Sequence, residues 1–338
     1  MKILALQFKY LGDAVLITPA LRALRRHFQN AELHLLVPEE VAPLLQHLPW
    51  LNRVWPMPRR RGSLSLAKTW PVIRALRREK FDRSVDFASN DRGAILSRLI
   101  GARQRLGWDE PGGFLGRKFC YTERVSPQTK PQHESARLAH LLSGWQISPT
   151  DSLELEIRAD AALDATAADI LPSGTVVCHM ASSQPNRQWP VEHWAKLHQL
   201  AKASGLPLAF TIARGAREEA LAAELKKIAP DAKTLPLIRE LPLFLAVLRR
   251  AAVFISGDTG PLHFAAGLGV PTISLFGPSS PARWAPIGPR HQFLAANSCA
   301  CGAGAHVCQT AVYCLAAIAP EQVFERLKNC QPAACRNA

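Results

Sequence analysis

The densest group of residues that could do chemistry is Ile255-Ser256-Gly257-Asp258-Thr259-Gly260-Pro261-Leu262-His263-Phe264-Ala265-Ala266-Gly267. It reads as the end of a strand, a turn and the opening of a helix. Gly257 and Gly260 let the backbone approach a ligand closely. Pro261 at the first helical position leaves the helix N-terminus open, with its N–H groups and positive dipole end. Such a terminus is an anion site, and a diphosphate is its natural guest. The alternative is a capped helix in which Asp258 or Thr259 is simply the cap and His263 is structural. A second turn, Ala181-Ser182-Ser183-Gln184-Pro185-Asn186-Arg187-Gln188-Trp189-Pro190, also follows an apolar run. Its two hydroxyls and its guanidinium could bind phosphate, or the segment is only a polar loop. A third, Leu11-Gly12-Asp13, places a carboxylate after the first strand. There it can act as a general base or cap the helix that follows. The run Arg59-Arg60-Arg61-Gly62, with Arg74, Arg77 and Arg78 downstream, is either a solvated face or a phosphate-binding surface.

These turns need elements to hold them. Lys2–Phe8 is a short apolar strand. Ala14–Phe28 has helical spacing, with Val15, Leu16, Leu21 and Leu24 apolar and Arg22, Arg25 and Arg26 outside; Pro19 starts or kinks that helix. Glu32–Val37 is the next strand, so strand, turn, helix and strand form a βαβ unit and imply a parallel sheet. Val54–Met57, the helix Leu66–Lys80 and Phe81–Phe87 continue the alternation. Around Ser143–Asp169 the composition turns acidic and Ala-rich, which reads as a linker plus the first elements of a second domain. A new alternation then runs through strand Gly174–His179, helix Val191–Ser204, strand Leu208–Ile212 and helix Arg217–Ile228. It ends with helix Leu241–Ala251, strand Val253–Ser256, helix Pro261–Leu268 and strand Thr272–Phe276. Two successive α/β runs predict two Rossmann-like domains with a cleft between them. Ligands then belong beyond the carboxyl ends of the strands, where the three turns lie.

At 338 residues, two domains are expected. Apolar residues make up 48% and charged residues 20%, which excludes a disordered chain or a collagen. No segment approaches the roughly 20 apolar residues of a membrane span. The opening Met1–Lys9 is too short and too soon interrupted for a secretory signal, so the cytoplasm is the expected compartment. The net charge of +14 is uneven. Positions 1–150 hold 24 basic and 12 acidic residues (+12), and positions 151–338 hold 17 and 15 (+2). The first half is therefore expected to meet an anionic partner: a phosphorylated substrate, an acidic membrane surface or nucleic acid. No recognition helix or aromatic-interleaved basic surface supports the last. Neither a G-x-G-x-x-G fingerprint after a strand nor a P-loop is present, which removes support for dinucleotide reduction and P-loop NTP hydrolysis. HExxH and GxSxG motifs are absent too.

Read together, the turns resemble the heptosyltransferases of glycosyltransferase family nine, bacterial enzymes that build the inner core of lipopolysaccharide. The resemblance runs from Lys2 to about Lys328. It is carried by Tyr10-Leu11-Gly12-Asp13-Ala14-Val15-Leu16-Ile17-Thr18-Pro19-Ala20-Leu21, by Gly257–Ala266 and by Pro271-Thr272-Ile273-Ser274-Leu275-Phe276-Gly277-Pro278. It implies the α/β architecture called GT-B, two Rossmann-like doubly wound domains facing an interdomain cleft. Residues 1–155 would be the acceptor-binding domain and 156–338 the nucleotide-sugar-binding domain. The implied donor is ADP-heptose and the implied acceptor an anionic glycolipid, a phosphorylated lipid A–Kdo sugar, which fits the charge of the first half. The implied reaction is a single inverting displacement with Asp13 as general base. It needs no cofactor and no metal if a helix dipole and a cation neutralise the leaving group.

Ser182, Ser183, Arg187, Asp258, Thr259, Gly260, Pro261 and His263 would bind the donor, with Glu218 or Glu219 on the ribose. Lys9, Arg59, Arg60 and Arg61 would bind the acceptor. Arg187 stands where the family usually places Lys; it keeps the charge and adds a bidentate fork. The implied location is peripheral, at the inner face of the inner membrane. The alternatives are a same-family transferase using another nucleotide-sugar or a protein acceptor, and a non-catalytic binding protein.

Of eight cysteines, Cys299, Cys301, Cys308, Cys314, Cys330 and Cys335 crowd the last forty positions. Their spacing matches no common paired C-x-x-C zinc template. Reduced thiols are the expected state, with disulfides or a metal site as alternatives; a cytoplasmic location disfavours disulfides.

Overall fold

A computed structural model describes residues 1–58, 66–130, 132–148, 152–182, 184–212, 215–296 and 314–330. Arg59, Arg60, Arg61, Gly62, Ser183, Cys299, Cys301, Cys308 and Cys335 lie outside the described residues. The chain divides into two compact units, Met1–Leu153 and Glu154–Ala338.

The first unit runs β1 (Lys2–Leu6), α1 (Leu11–Leu16), α2 (Thr18–His27), β2 (Glu32–Pro38), α3 (Ala42–Leu45), β3 (Arg53–Met57), α4 (Leu66–Arg78), β4 (Arg83–Asp86), α5 (Asp91–Ile100), β5 (Gln104–Trp108), β6 (Glu123–Val125) and α6 (Glu134–His140). The second runs α7 (Asp164–Ile170), β7 (Val176–His179), α8 (Val191–Ala203), β8 (Leu208–Thr211), α9 (Ala216–Ile228), β9 (Lys233–Thr234), α10 (Leu241–Arg249), β10 (Val253–Gly257), α11 (Gly260–Gly267), β11 (Thr272–Phe276), α12 (Pro281–Trp284), β12 (His291–Ala295) and α13 (Pro320–Cys330).

Each unit holds a six-stranded sheet, in the orders β3-β2-β1-β4-β5-β6 and β12-β11-β10-β7-β8-β9. Every pairing is parallel. Counted from the first strand of each unit, both orders are 3-2-1-4-5-6, the Rossmann order. The chain reverses direction across the sheet between β1 and β4 in one unit and between β7 and β10 in the other. Helices cover both faces of such sheets, so central strands are apolar throughout rather than alternating. β7, β10 and β11 are buried at every residue.

The first core gathers Leu4 and Leu6 of β1, Trp55 and Met57 of β3, Ile73 and Leu76 of α4, and Leu96 and Ile100 of α5. The second joins Cys178 of β7, Ile255 of β10 and Ile273 of β11 to Trp194 and Leu197 of α8, Leu225 of α9 and Leu327 of α13. The apolar face expected on α8 is therefore the packed one, with Leu200 at its edge.

The single helix expected over Ala14–Phe28 is two helices. Pro19 has no N–H for the carbonyl of Val15, four residues back. The Thr18 hydroxyl donates to that carbonyl instead, at 2.8 Å, and the chain turns at Ile17.

Candidate active site

In both units the singled-out turns leave strands that flank the topological switch point, where open parallel sheets form their ligand crevice. In the second unit, the loop after β7 and the turn after β10 meet there. Arg187 Nη1 donates to Asp258 Oδ2 at 3.1 Å, joining the two sides of the switch point. Asp258 is only 8% exposed and Arg187 24%, so each shields the other's charge from the low-dielectric surroundings. The contact demands close approach: a Cβ at Gly257 would lie 2.8 Å from the Arg187 carbonyl oxygen. The loop is pinned from behind by Trp189. Its indole Nε1 donates to Ile318 O at 2.9 Å, and its ring packs edge-on to Trp194, with centroids 4.8 Å apart.

Helix α11 starts at this corner. Thr259 is its N-cap residue by backbone geometry, yet no side-chain cap hydrogen bond is made. That disfavours the reading of this turn as an ordinary capped helix. Gly260 and Pro261 form the first turn, and His263 is buried in the helix. Two polar atoms here, Arg187 Nε and Thr259 Oγ1, are buried without a partner. Buried polar groups are nearly always paired, so an unpaired donor and an unpaired hydroxyl beside an open helix start fit an anionic ligand. Ser182 is buried, and its carbonyl accepts from Arg217 Nη1 and from Gln188 Nε2, both at 3.4 Å. The first bond ties the start of α9 to the loop after β7. Glu218 and Glu219 stand in that first turn, Glu218 half-buried and Glu219 exposed. Beneath the loop, His179 closes β7; its Nδ1 lies 2.7 Å from Thr211 Oγ1, and burial pushes its pKa down to about 4.

In the first unit, Asp13 is the third residue of α1 rather than its N-cap, a place held by Tyr10. Its carboxylate reaches back to accept from the Tyr10 N–H at 3.3 Å. Burial raises its pKa; the nearby Glu134 carboxylate adds to the rise, while Lys9, Arg137 and the Tyr10 N–H oppose it. The Lys9 ammonium lies 3.9 Å from Glu134 Oε1. Glu134, at the start of α6, is buried and takes Arg137 Nε at 3.1 Å and Nη2 at 2.8 Å. Arg137 Nη1 continues to Glu110 at 3.2 Å, Glu110 binds the Ser89 hydroxyl, and Ser89 accepts from Arg117 Nη2 at 3.2 Å. A charged chain thus leads from the Asp13 neighbourhood to the turn after β5. That turn lines a cavity of about 540 Å³ with Trp108, Glu110, Arg117, Tyr121 and Arg124 on its walls.

Sequence reasoning missed Glu134 and Arg137. Their i,i+3 spacing is an ordinary helix pair, and only the fold brings Lys9 to them. It also missed Asp86, at the end of β4. This carboxyl is fully buried and accepts from Tyr121 Oη at 2.6 Å and the Ala88 N–H at 2.9 Å. Burial pushes its pKa up to about 6.

Among the described residues no group of three or more His, Cys, Asp or Glu could hold a metal ion, and no helix is long and apolar enough to cross a membrane. Cys120, Cys178 and Cys330 are in no disulfide.

Residues 69–309 match the family described as glycosyltransferase family 9 (heptosyltransferase). The chain is similar to lipopolysaccharide heptosyltransferase 2 of Escherichia coli strain K12, 24% identical over 294 residues, covering 83% of this chain and 84% of that protein. Among solved structures it is similar to a glycosyl transferase of family 9 from Veillonella parvula (TM-score 0.80, 19% identity, 97% and 96% of the two chains covered). It is also similar to an E. coli heptosyltransferase solved with ADP-2-deoxy-2-fluoro heptose (TM-score 0.73, 22% identity, 97% and 99% covered). The last two show the fold, and the α/β, two-sheet architecture expected from the sequence is the one they share.

Proposed function

The chain belongs to glycosyltransferase family 9, the heptosyltransferases, and on that premise we propose that it moves heptose from ADP-heptose onto the inner core of a lipopolysaccharide precursor. The observation that carries the donor half is the corner where Arg187 meets Asp258 beside the uncapped start of α11. Pro261 has no N–H and the Leu262 N–H bonds the Thr259 carbonyl, so a diphosphate there would accept from the Gly260 N–H at the positive end of the helix and from the guanidinium, which can offer two parallel donors. The Thr259 hydroxyl adds a further donor. As the glycosidic bond to phosphate breaks, negative charge grows on the leaving diphosphate, and donors already aimed at that position stabilise it most. Ser182, Ser183 and His263 complete the donor contacts, and Glu218, the half-buried member of its pair, takes the ribose hydroxyls.

Asp13 is the proposed general base. It removes the proton from the acceptor hydroxyl as that oxygen attacks the anomeric carbon, and the diphosphate departs from the opposite face, so the configuration inverts. A carboxylate whose pKa is raised by burial is a stronger base than an exposed one. Lys9 and the arginines Arg59, Arg60 and Arg61 are proposed to bind the acceptor's anionic groups. Its excess of basic residues suits the first unit to an acidic glycolipid, and the enzyme is proposed to work peripherally at the inner face of the inner membrane.

The test is turnover of ADP-heptose against a panel of other nucleotide-sugars, with heptose-deficient lipopolysaccharide as acceptor. Acceptor-dependent release of ADP is the expected result. Turnover of another donor alone would replace heptose by that sugar. No turnover with any donor, together with tight donor binding, would make the chain a binding protein.

A further inference from the structure

The exposed apolar side chains of the first unit are not scattered. Apart from Met1 and Tyr10, the large ones among the described residues are Trp70, Ile95, Leu99, Phe114, Leu115 and Phe119. All six lie on three neighbouring pieces: α4, α5 and the turn between β5 and β6. Helices α4 and α5 pack through Ile73, Leu76, Leu96 and Ile100, and Arg77 Nη1 donates to Leu99 O at 2.5 Å. The turn packs on α5 through Cys120 and Ala94.

The exposure is built in. The Phe114 N–H donates to Asp91 Oδ1 at 3.3 Å, and Gly113 lies so close that a Cβ there would sit 2.3 Å from the same oxygen. Arg117, itself buried, bonds the Ser89 hydroxyl. A turn anchored at these points holds Leu115 fully exposed and Phe119 71% exposed, while Trp70 on α4 is 54% exposed. Exposed apolar side chains gathered on packed elements mark an interaction site rather than ordinary surface.

Their neighbours identify the partner. Arg74, Arg77 and Arg78 are exposed on α4, Arg98 on α5 and Lys118 on the turn. Asp91, the exposed acidic residue of α5, is engaged by the turn itself. A protein interface tends to exclude charge from its apolar centre, whereas this face mixes the two. Interleaved Trp, Phe and Leu with Arg and Lys is the composition that lies in a lipid interface: apolar groups enter the headgroup boundary and cations meet anionic lipid.

We propose that the face made by α4, α5 and the turn Pro111–Cys120 docks the protein on an anionic phospholipid membrane. Phe114, Leu115, Phe119 and Trp70 enter the interface, and Arg74, Arg98 and Lys118 hold the headgroups. The same turn lines the cavity bounded by Trp108, Glu110 and Arg124, so docking brings headgroups beside it. Its purpose rests on the reading of the acceptor as a membrane glycolipid.

The test is flotation of the full chain with vesicles of phosphatidylethanolamine and phosphatidylglycerol (3:1), and with phosphatidylcholine vesicles. Binding is expected to the anionic vesicles, falling as salt rises. The triple variant Trp70→Ser, Leu115→Ser, Phe119→Ser should bind at least about tenfold more weakly. Arg74→Gln, Arg98→Gln, Lys118→Gln should bind anionic vesicles no better than phosphatidylcholine. Wild-type protein that fails to float, or an apolar variant that floats equally, overturns the proposal. A concentration-dependent dimer in sedimentation that the apolar variant abolishes would assign the face to a second copy and overturn it as well. Transfer to a deacylated, water-soluble acceptor is measured in parallel, and the variants should keep it. Failure of the wild type on that acceptor, with vesicle binding intact, counts against the transferase reading and leaves the docking surface standing.

Discussion

Replacing Gly257 by Ala tests the claim that the corner between β7 and β10 is held by backbone contact. The new Cβ would sit 2.8 Å from the Arg187 carbonyl oxygen. Ordinary contact begins at 3.4 Å, so one backbone must withdraw by about 0.6 Å (3.4 − 2.8). Both partners are main chain, one in a central strand and the other in a loop pinned by Trp189, so rotation of a side chain cannot relieve the clash. Overpacking of this kind costs about 1–3 kcal/mol. At about 2–4 °C per kcal/mol for a unit of this size, the melting temperature should fall by roughly 2–12 °C. A withdrawal of that size along the Arg187–Asp258 contact would stretch it from 3.1 Å to about 3.7 Å, beyond hydrogen-bond range. The guanidinium would then no longer be aimed at a bound diphosphate; one charge-assisted hydrogen bond lost to that ligand is worth about 1.5–3 kcal/mol, so ADP should bind roughly 10- to 150-fold more weakly. Differential scanning calorimetry and isothermal titration with ADP read the two effects on one preparation. A variant with unchanged melting temperature and ADP affinity within twofold of wild type would refute the argument from close approach.

Asp13→Asn should abolish transfer and leave ADP binding unchanged; turnover near wild type in a discontinuous ADP-release assay would remove Asp13 from the mechanism. Because burial and Glu134 raise the Asp13 pKa against Lys9, Arg137 and the Tyr10 N–H, the acidic limb of kcat/KM should lie at higher pH than an exposed aspartate would give. Glu134→Gln should move it to lower pH. Arg187→Ala leaves the buried Asp258 carboxylate without its cation; allowing for the partial exposure of Arg187, urea unfolding should show a loss of about 2 kcal/mol. Arg187→Lys should recover part of the stability but less of the ADP affinity, since the bidentate fork is gone. His179 has its pKa depressed to about 4 against 6.5 when unfolded, so the unfolded chain takes the proton first. The stability this gives is complete above about pH 6.5 and is drawn down as pH falls toward 4. About 3 kcal/mol is at stake, and urea titrations at pH 7, 5.5 and 4 should show that much less acid sensitivity in His179→Gln.

Much of the architecture was legible because it is local. Apolar runs bounded by turns locate β1, β2, β7, β8, β10 and β11, and helical spacing locates α8, α9 and α10 within a residue or two of their ends. Pro19 announced an interruption, though which hydrogen bond would fail, and that Thr18 would take its place, depends on the carbonyl of Val15. The short edge strands β6, β9 and β12 carry too little periodicity to read. The turn proposed to hold the donor was legible for a related reason: glycines and a proline at a strand-to-helix junction are local marks of an anion site, whereas local spacing left Asp258 and Thr259 open as mere helix caps and only the family resemblance implied a donor role for them.

Pairing across the sheet could not be read this way. The sequence by itself determined the alternation of strands and helices, the turns that end the strands and the uneven charge, because each depends on neighbours along the chain. The tertiary structure alone decided that β7 lies beside β10, so that Arg187 meets Asp258, and that α6 brings Glu134 to Lys9. It also decided that α4, α5 and the turn after β5, which carry the exposed apolar residues, pack side by side. Such contacts are set by how sheets order their strands and how helices pack on them, and nothing in the local spacing of Arg187, Glu134 or Leu115 records which distant residue will be its neighbour.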